Sequence, residues 1–336
     1  MTRPTVLLAM RPSLVDAILP PELLTRLSAT ADVDPDIVLT DFEACDPTVL
    51  AAADVLLTSW EAPAIDERAL ERMPRLRAVI HAAGSVKHHV EPAVWEHGIT
   101  VSSAAEVNAL PVAQYTLAAI LLGGKRAFSK AAEYAHGGFA ADPADLRFGN
   151  DDRTVGIIGA SRVGRLVLPL LAEHGFRLLV NDPTLDSEQI RALVPGYPVE
   201  PASLDDMMTA CDVISLHAPE LPETWHLIDE EMLSRMRDGA LLVNTSRGSL
   251  VDTEALIRHC ESGRIDAILD VTEPEPLPAG HPLFQLPNVL ITPHLAGSLG
   301  TELRRFGEFA VRQVERFASG QPLQGEIVSS ELSRIA

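Results

Sequence analysis

TVGIIGASRVGRLVLPLLAEHGFRLLVNDP, residues 154–183, reads as a strand, a tight turn, a helix and a second strand. Gly159, Ser161 and Gly164 occupy the three positions of a G-x-G-x-x-G fingerprint. In such a turn the first glycine makes the bend, the second lets backbone approach a pyrophosphate, and the third lets the helix pack closely on the sheet. Ser161 departs from the pattern. It adds a Cβ and a hydroxyl where clearance is needed, which would set the pyrophosphate slightly farther out, with the hydroxyl donating to it. The helix N-terminus still offers unpaired N–H groups and the positive end of the helix dipole, with Arg162 and Val163 in its first turn. An imperfect glycine fingerprint alone reads equally well as an ordinary strand-to-helix turn. Asp182 tips the balance: it ends the second strand 23 residues past Gly159, near the roughly 20-residue offset of an acidic group that binds ribose hydroxyls. A carboxylate there repels a 2′-phosphate, so the expected cofactor is NAD and not NADP. The competing reading of Asp182 is a cap or turn residue ahead of Pro183.

The same alternation extends in both directions. TVLLAM (5–10), DVLLTS (54–59) and RAVIHAA (77–83) precede it; DVISLHA (212–218), ALLVNTS (240–246) and DAILDVT (266–272) follow. Apolar strands alternating with helices imply parallel sheets covered on both faces, an α/β architecture. Between the two sets lies NALPVAQYTLAAILLGGKRAFSKAAEYAH, whose middle reads as a long buried helix, then the loop GGFAADPADLRFGNDD, where the chain changes domain. Near the end, TELRRFGEFAVRQVERFASG spaces Leu303, Phe306, Phe309, Ala310, Gln313, Val314 and Phe317 as one helix face, with Gly320 as its stop. This last helix is expected to return to the first domain.

At 336 residues the chain has the length of two domains of roughly 100–200 residues each. Hydrophobic residues at 46% and charged residues at 22% exclude disorder and fibrous repeats. A formal net charge of −20 repels phosphate backbones and anionic lipid, so neither nucleic acid nor membrane is expected as a partner. No run approaches the roughly 18 apolar residues of a membrane span, and the N-terminus reads as a strand without a leader. Cys45, Cys211 and Cys260 are odd in number and far apart, read as buried thiols, and suggest a reducing cytoplasm.

Three further segments carry chemistry: HAAGSVKHHV (81–90), LLVNTSRGSLVDTEAL (241–256) and AILDVTEPEPLPAGHPLFQLPNVLITPHLAG (267–297). With SLHAPELPETWHLIDEEMLSRM (215–236) and NALPVAQYTLAAIL (108–121), they resemble the D-isomer-specific 2-hydroxyacid dehydrogenase family in order and spacing, through nearly the whole chain. The resemblance implies two Rossmann-like or flavodoxin-like domains. A nucleotide-binding domain, 107–299, would be inserted into a discontinuous substrate domain, 1–106 and 300–336, with catalysis in the cleft between them and a homodimer as the usual assembly. It implies NAD-dependent interconversion of a small 2-oxo acid and its D-2-hydroxy acid. The chain ends soon after the last helix, so the appended regulatory domain of some phosphoglycerate dehydrogenases is not expected.

The family's catalytic positions fall on Arg247, Glu275 and His294. Each suits the reaction: reducing a 2-oxo acid needs a cation to hold the carboxylate and polarise the ketone, and an acid to protonate the developing alkoxide. Arg247 supplies a planar fork, His294 a near-neutral acid and base, and Glu275 a carboxylate to hold the imidazole. The local rival to Glu275 is Glu273; the family spacing of five residues past Asp270 selects Glu275. Ala83, Gly84, Ser85 and Val86 resemble a glycine loop whose N–H groups meet the substrate carboxylate. Lys87 and His88 replace the more usual pair there, and a metal site at His88 and His89 is disfavoured because adjacent side chains seldom converge. Arg11 and Trp60 stand after strands and read equally as contacts to the substrate's distal group or as a surface Arg and a packing Trp. His217, Pro219 and Thr224 resemble the segment lining the nicotinamide side; Thr245 and Asp270 resemble positions near its ribose and carboxamide. The rival from another class is a non-catalytic NAD-sensing, corepressor-like protein on the same fold; oxidation of formate or a phosphonate is a second enzymatic alternative. The distal part of the substrate stays open, because specificity lives in loops.

Overall fold

The computed structural model describes residues 3–138 and 142–330, so 139–141 of the loop expected at 137–152 lie outside the described residues. The chain divides into two compact units: residues up to Asn108 with those from Ser298 onward, and Ala109–Gly297.

In the first unit β1 (Thr5–Ala9), β2 (Asp32–Leu39), β3 (Val55–Thr58), β4 (Ala78–His81) and β5 (Thr100–Ser103) form a parallel sheet in the order β5-β4-β3-β1-β2. Alternate residues of each strand feed opposite faces. Val6, Leu8, Leu57 and Ile80 pack on one side with Leu23 and Leu27, while Leu7, Leu56 and Val79 pack on the other with Leu50, Leu70 and Val94. β2 was not read from the sequence: DVDPDIVL alternates exposed and half-buried residues because it is the edge strand, where Pro35 is tolerated.

The second unit is an all-parallel sheet of β6 (Thr154–Ile158), β7 (Arg177–Asn181), β8 (Val199–Pro201), β9 (Val213–Leu216), β10 (Leu241–Asn244), β11 (Asp266–Leu269) and β12 (Val289–Ile291), in the order β12-β11-β10-β9-β6-β7-β8. The first unit therefore has the flavodoxin-like order, reversing between β1 and β3, and the second the doubly wound nucleotide-binding order, reversing between β6 and β9. Ligands bind such sheets outside the carboxyl ends of the strands at the reversal. Those ends carry Arg11 and Trp60 in the first unit, and Gly159–Ser161 and His217–Pro219 in the second.

The helix Ala105–Gly124 corrects one expectation: by length and composition it is apolar enough to cross a membrane. Its apolar residues have a place in the second unit, where Ala113, Ala119 and Ile120 pack with Val155, Val243 and Ile268. The chain then breaks at Arg126, with φ +50°, and resumes as the helix Ala127–Ala135. The terminal helix Leu303–Ala318 packs in the first unit, burying Leu303, Phe306, Phe309, Ala310, Gln313 and Val314, while Phe317 is half-buried. Gly320 at φ +70° stops it, and β13 (Glu326–Ile327) adds antiparallel to β5. Cys211 and Cys260 are buried, but Cys45 is only half-buried, in the loop before the helix Pro47–Ala51.

The ends of β3 and β4 hold a buried polar cluster. Thr58 Oγ1 bridges His81 Nδ1 at 2.9 Å and His89 Nε2 at 3.2 Å, with the two rings 4.5 Å apart. Burial, and then the neighbouring His89, push His81 well below the usual imidazole range; burial, and then His88, bring His89 to about 4. An unfolded histidine takes up a proton near pH 6.5 that the folded one refuses, so the unfolded state binds more protons between about 6.5 and 4. Stability present above that window is lost as pH falls through it, on the order of 3 kcal/mol for His89 alone. His89→Leu is therefore expected to flatten the acid limb of the thermal midpoint against pH; an unchanged slope would contradict the assignment.

Candidate active site

The turn after β6 tests whether the second unit fits a dinucleotide. Gly159 has φ +93°, and a Cβ on it would lie 2.7 Å from the Ala218 nitrogen. A Cβ on Gly164 would lie 2.2 Å from the Gly159 carbonyl oxygen, so the helix Arg162–Glu173 can pack here only through glycine. Ser161 needs no such freedom: at φ −68° it is the helix N-cap, and its Oγ accepts from the Gly164 N–H at 3.4 Å. The hydroxyl that departs from the fingerprint is thus turned into the helix end, its proton free to donate. Arg162 is exposed and Val163 half-buried beside it. One Asp182 oxygen accepts from Ala160 N at 2.8 Å and the other from Thr184, so this carboxylate braces the glycine turn from the end of β7.

Across the sheet reversal, His217 is buried and burial pushes it to about 3; its Nε2 meets Ser215 Oγ at 2.9 Å, whereas its buried Nδ1 has no partner among the described residues. Thr224 Oγ1 donates to the Pro219 carbonyl at 2.7 Å and accepts from Leu221 N, closing the loop on itself. Thr245 Oγ1 lies 3.0 Å from Thr116 Oγ1. A close-approach glycine turn, a capped helix N-terminus, a carboxylate at the neighbouring strand end and an orphaned imidazole nitrogen together suit a dinucleotide.

The catalytic candidates stand after β10 (Arg247), β11 (Glu275) and β12 (His294). Glu275 Oε1 is 2.7 Å from His294 Nδ1. Glu273 faces elsewhere, its Oε2 3.7 Å from His226 Nε2. Asp270 is buried, and its oxygens accept from Thr292 Oγ1 at 2.6 Å, Leu295 N at 2.9 Å and Ala296 N at 2.9 Å. Those bonds clamp the loop in which His294 sits at φ +50°. Arg247 Nη1 donates to the Ser246 carbonyl at 2.6 Å, and Nε lies 4.0 Å from Glu220 Oε2. Burial draws Arg247 below its ordinary value, while the charges of Glu220 and then Glu275 work in the opposite direction. Glu220 was missed from the sequence, where it is one acid in APELPET.

In the first unit, Gly84 and Ser85 are half-exposed, but Val86 is fully buried in the core and presents no surface to a ligand. His88 is exposed and His89 buried, pointing the pair to opposite sides; among the described residues no group of three His, Cys, Asp or Glu is placed to hold a metal. Arg11 pairs with Glu61, and its N–H bonds the Trp60 carbonyl at 2.9 Å; Trp60 packs edge-on against Phe306, with centroids 5.7 Å apart.

Comparison with known proteins agrees with this geometry. Residues 117–296 match the family model "D-isomer specific 2-hydroxyacid dehydrogenase, NAD binding domain". The chain is 30% identical over 276 residues to a glyoxylate reductase of Thermofilum pendens, covering 81% of this chain and 80% of that one. It is 32% identical over 293 residues to a D-3-phosphoglycerate dehydrogenase of Mycobacterium leprae, covering 84% of this chain but only 53% of that longer one. Among solved structures, the D-lactate dehydrogenase of Aquifex aeolicus, complexed with NAD and lactic acid, is 27% identical with a TM-score of 0.69 over 94% of this chain and 96% of that one. NAD is the cofactor of the second unit, and the chain belongs to the D-isomer specific 2-hydroxyacid dehydrogenases.

Proposed function

We propose that the protein reduces a small 2-oxo acid to its D-2-hydroxy acid with NADH, His294 acting as acid and base. The 2.7 Å contact between His294 Nδ1 and Glu275, with Arg247 under the influence of the same carboxylate, carries this reading. Glu275 accepts from Nδ1–H and leaves Nε2–H to protonate the oxygen at C2; in the oxidative direction Nε2 removes that proton. The Asp270 clamp holds the ring in one orientation for that transfer. The Arg247 fork binds the substrate carboxylate and polarises the neighbouring ketone. When bound, the reduced nicotinamide supplies the hydride that C2 receives. We assign the pyrophosphate to the turn Gly159–Gly164 and the ribose to Asp182; in the first unit, the N–H groups of Gly84 and Ser85 are assigned to an anion. The glyoxylate reductase and D-lactate dehydrogenase relatives support a short 2-oxo acid as substrate. The reading includes a homodimer in a reducing cytoplasm, to which the exposed Leu110 and Leu122 of the helix Ala105–Gly124 lend support.

The test is loss of NADH absorbance with a panel of 2-oxo acids, NADPH run in parallel. Turnover with NADH well above NADPH is expected. Tight NADH binding with no turnover across the panel would overturn the proposal, and an accompanying change of oligomeric state would favour a sensing protein.

A further inference from the structure

We propose that Glu220 restricts the substrate to 2-oxo acids whose distal end carries no negative charge. The inference rests on the reading of Arg247 given above and narrows it to a substrate class. Glu220 is not a loose surface acid. Its Oε1 accepts from the buried Ser249 hydroxyl at 2.9 Å, and this holds Oε2 4.0 Å from Arg247 Nε. With Glu275 on His294, two carboxylates already face the two groups that must receive an anionic substrate. One incoming carboxylate takes up the remaining donors of Arg247 and the imidazolium charge. A second negative charge on the same molecule meets Glu220 and Glu275 within the roughly 8 Å over which charges are felt at physiological salt.

Arg247, the cation read as the carboxylate anchor, thus stands against a carboxylate of its own unit, and the chain as a whole carries −20. Like-charge juxtaposition is how a site rejects a wrong ligand of the right shape. Neutral or cationic distal groups fit this balance; dicarboxylic and phosphorylated 2-oxo acids do not.

The experiment compares 2-oxopentanoate with 2-oxoglutarate, which share a five-carbon chain and differ in distal charge, using the full chain and NADH. The wild type is expected to favour 2-oxopentanoate in kcat/KM by at least about tenfold, or about 1.4 kcal/mol. Glu220→Gln keeps the size and the Ser249 contact, and should shrink that ratio by about tenfold, chiefly through a lower KM for 2-oxoglutarate, with NADH affinity unchanged. A wild type indifferent to distal charge, or a ratio that E220Q leaves alone, would overturn the proposal. If neither acid is turned over, the enzymatic reading fails separately. Quenching of bound-NADH fluorescence by the two acids then tests charge selection by itself, and 2-oxoglutarate binding as tightly as 2-oxopentanoate would refute it.

Discussion

His294→Asn is expected to lower kcat by about 10²- to 10⁴-fold, the usual worth of a positioned acid or base, while NADH binds as before. Asparagine is chosen because position 294 has φ +50°, and Asn accepts the left-handed region better than most residues. The Asp270 bonds to Leu295 N and Ala296 N do not involve the imidazole, so the loop keeps its clamp and the thermal midpoint should barely move. What is lost is the Nδ1 contact to Glu275 and the proton at Nε2. The fall should appear in reduction and oxidation alike, because one group gives the proton in one direction and takes it in the other. Steady-state rates in both directions, with NADH titrated by fluorescence, decide the matter: full turnover by H294N would remove His294 from the chemistry.

How much of the fold is legible in the sequence depends on which signals are local. β6, β9, β10 and β11 are short apolar runs buried at every position, and such runs stand out in any sequence. β2 was invisible for the opposite reason: an edge strand with outward Asp32, Asp34 and Asp36 has no continuous apolar run. Asp182 was found by its offset, yet its bond to Ala160 N, which braces the turn, depends on where two loops meet and leaves no trace in spacing. Ser161 looked like a blemish in the glycine pattern until its φ and the Gly164 N–H identified a helix cap. The family resemblance points Asp270 towards the cofactor, and its three accepted bonds to 292–296 are long-range contacts closed only in the fold. Glu220 had no motif at all; only the approach of Arg247 and Ser249 gives it meaning. The family resemblance thus points to Arg247, Glu275 and His294, and tertiary contacts show which groups hold them.

Arg247→Ala should be the second severe loss, lowering kcat/KM by about 10³-fold or somewhat more, in the range of losing a preorganised donor to the developing oxyanion together with a carboxylate anchor. Charge alone cannot replace the fork: Arg247→Lys keeps one positive charge but loses planar, two-point recognition, and is expected to fall by about 10²-fold. The alanine variant also leaves Glu220 without its guanidinium partner, so an uncompensated carboxylate then faces the substrate. Removing that carboxylate too, in R247A/E220Q, should recover part of the binding loss, whereas two independent sites would give additive losses. Added guanidinium ion should restore some turnover to R247A, which vacates the space, and none to R247K, whose side chain still fills it. Failure of rescue together with strict additivity would mean that Arg247 shapes the loop after β10 through its 2.6 Å bond to the Ser246 carbonyl and does not meet the substrate.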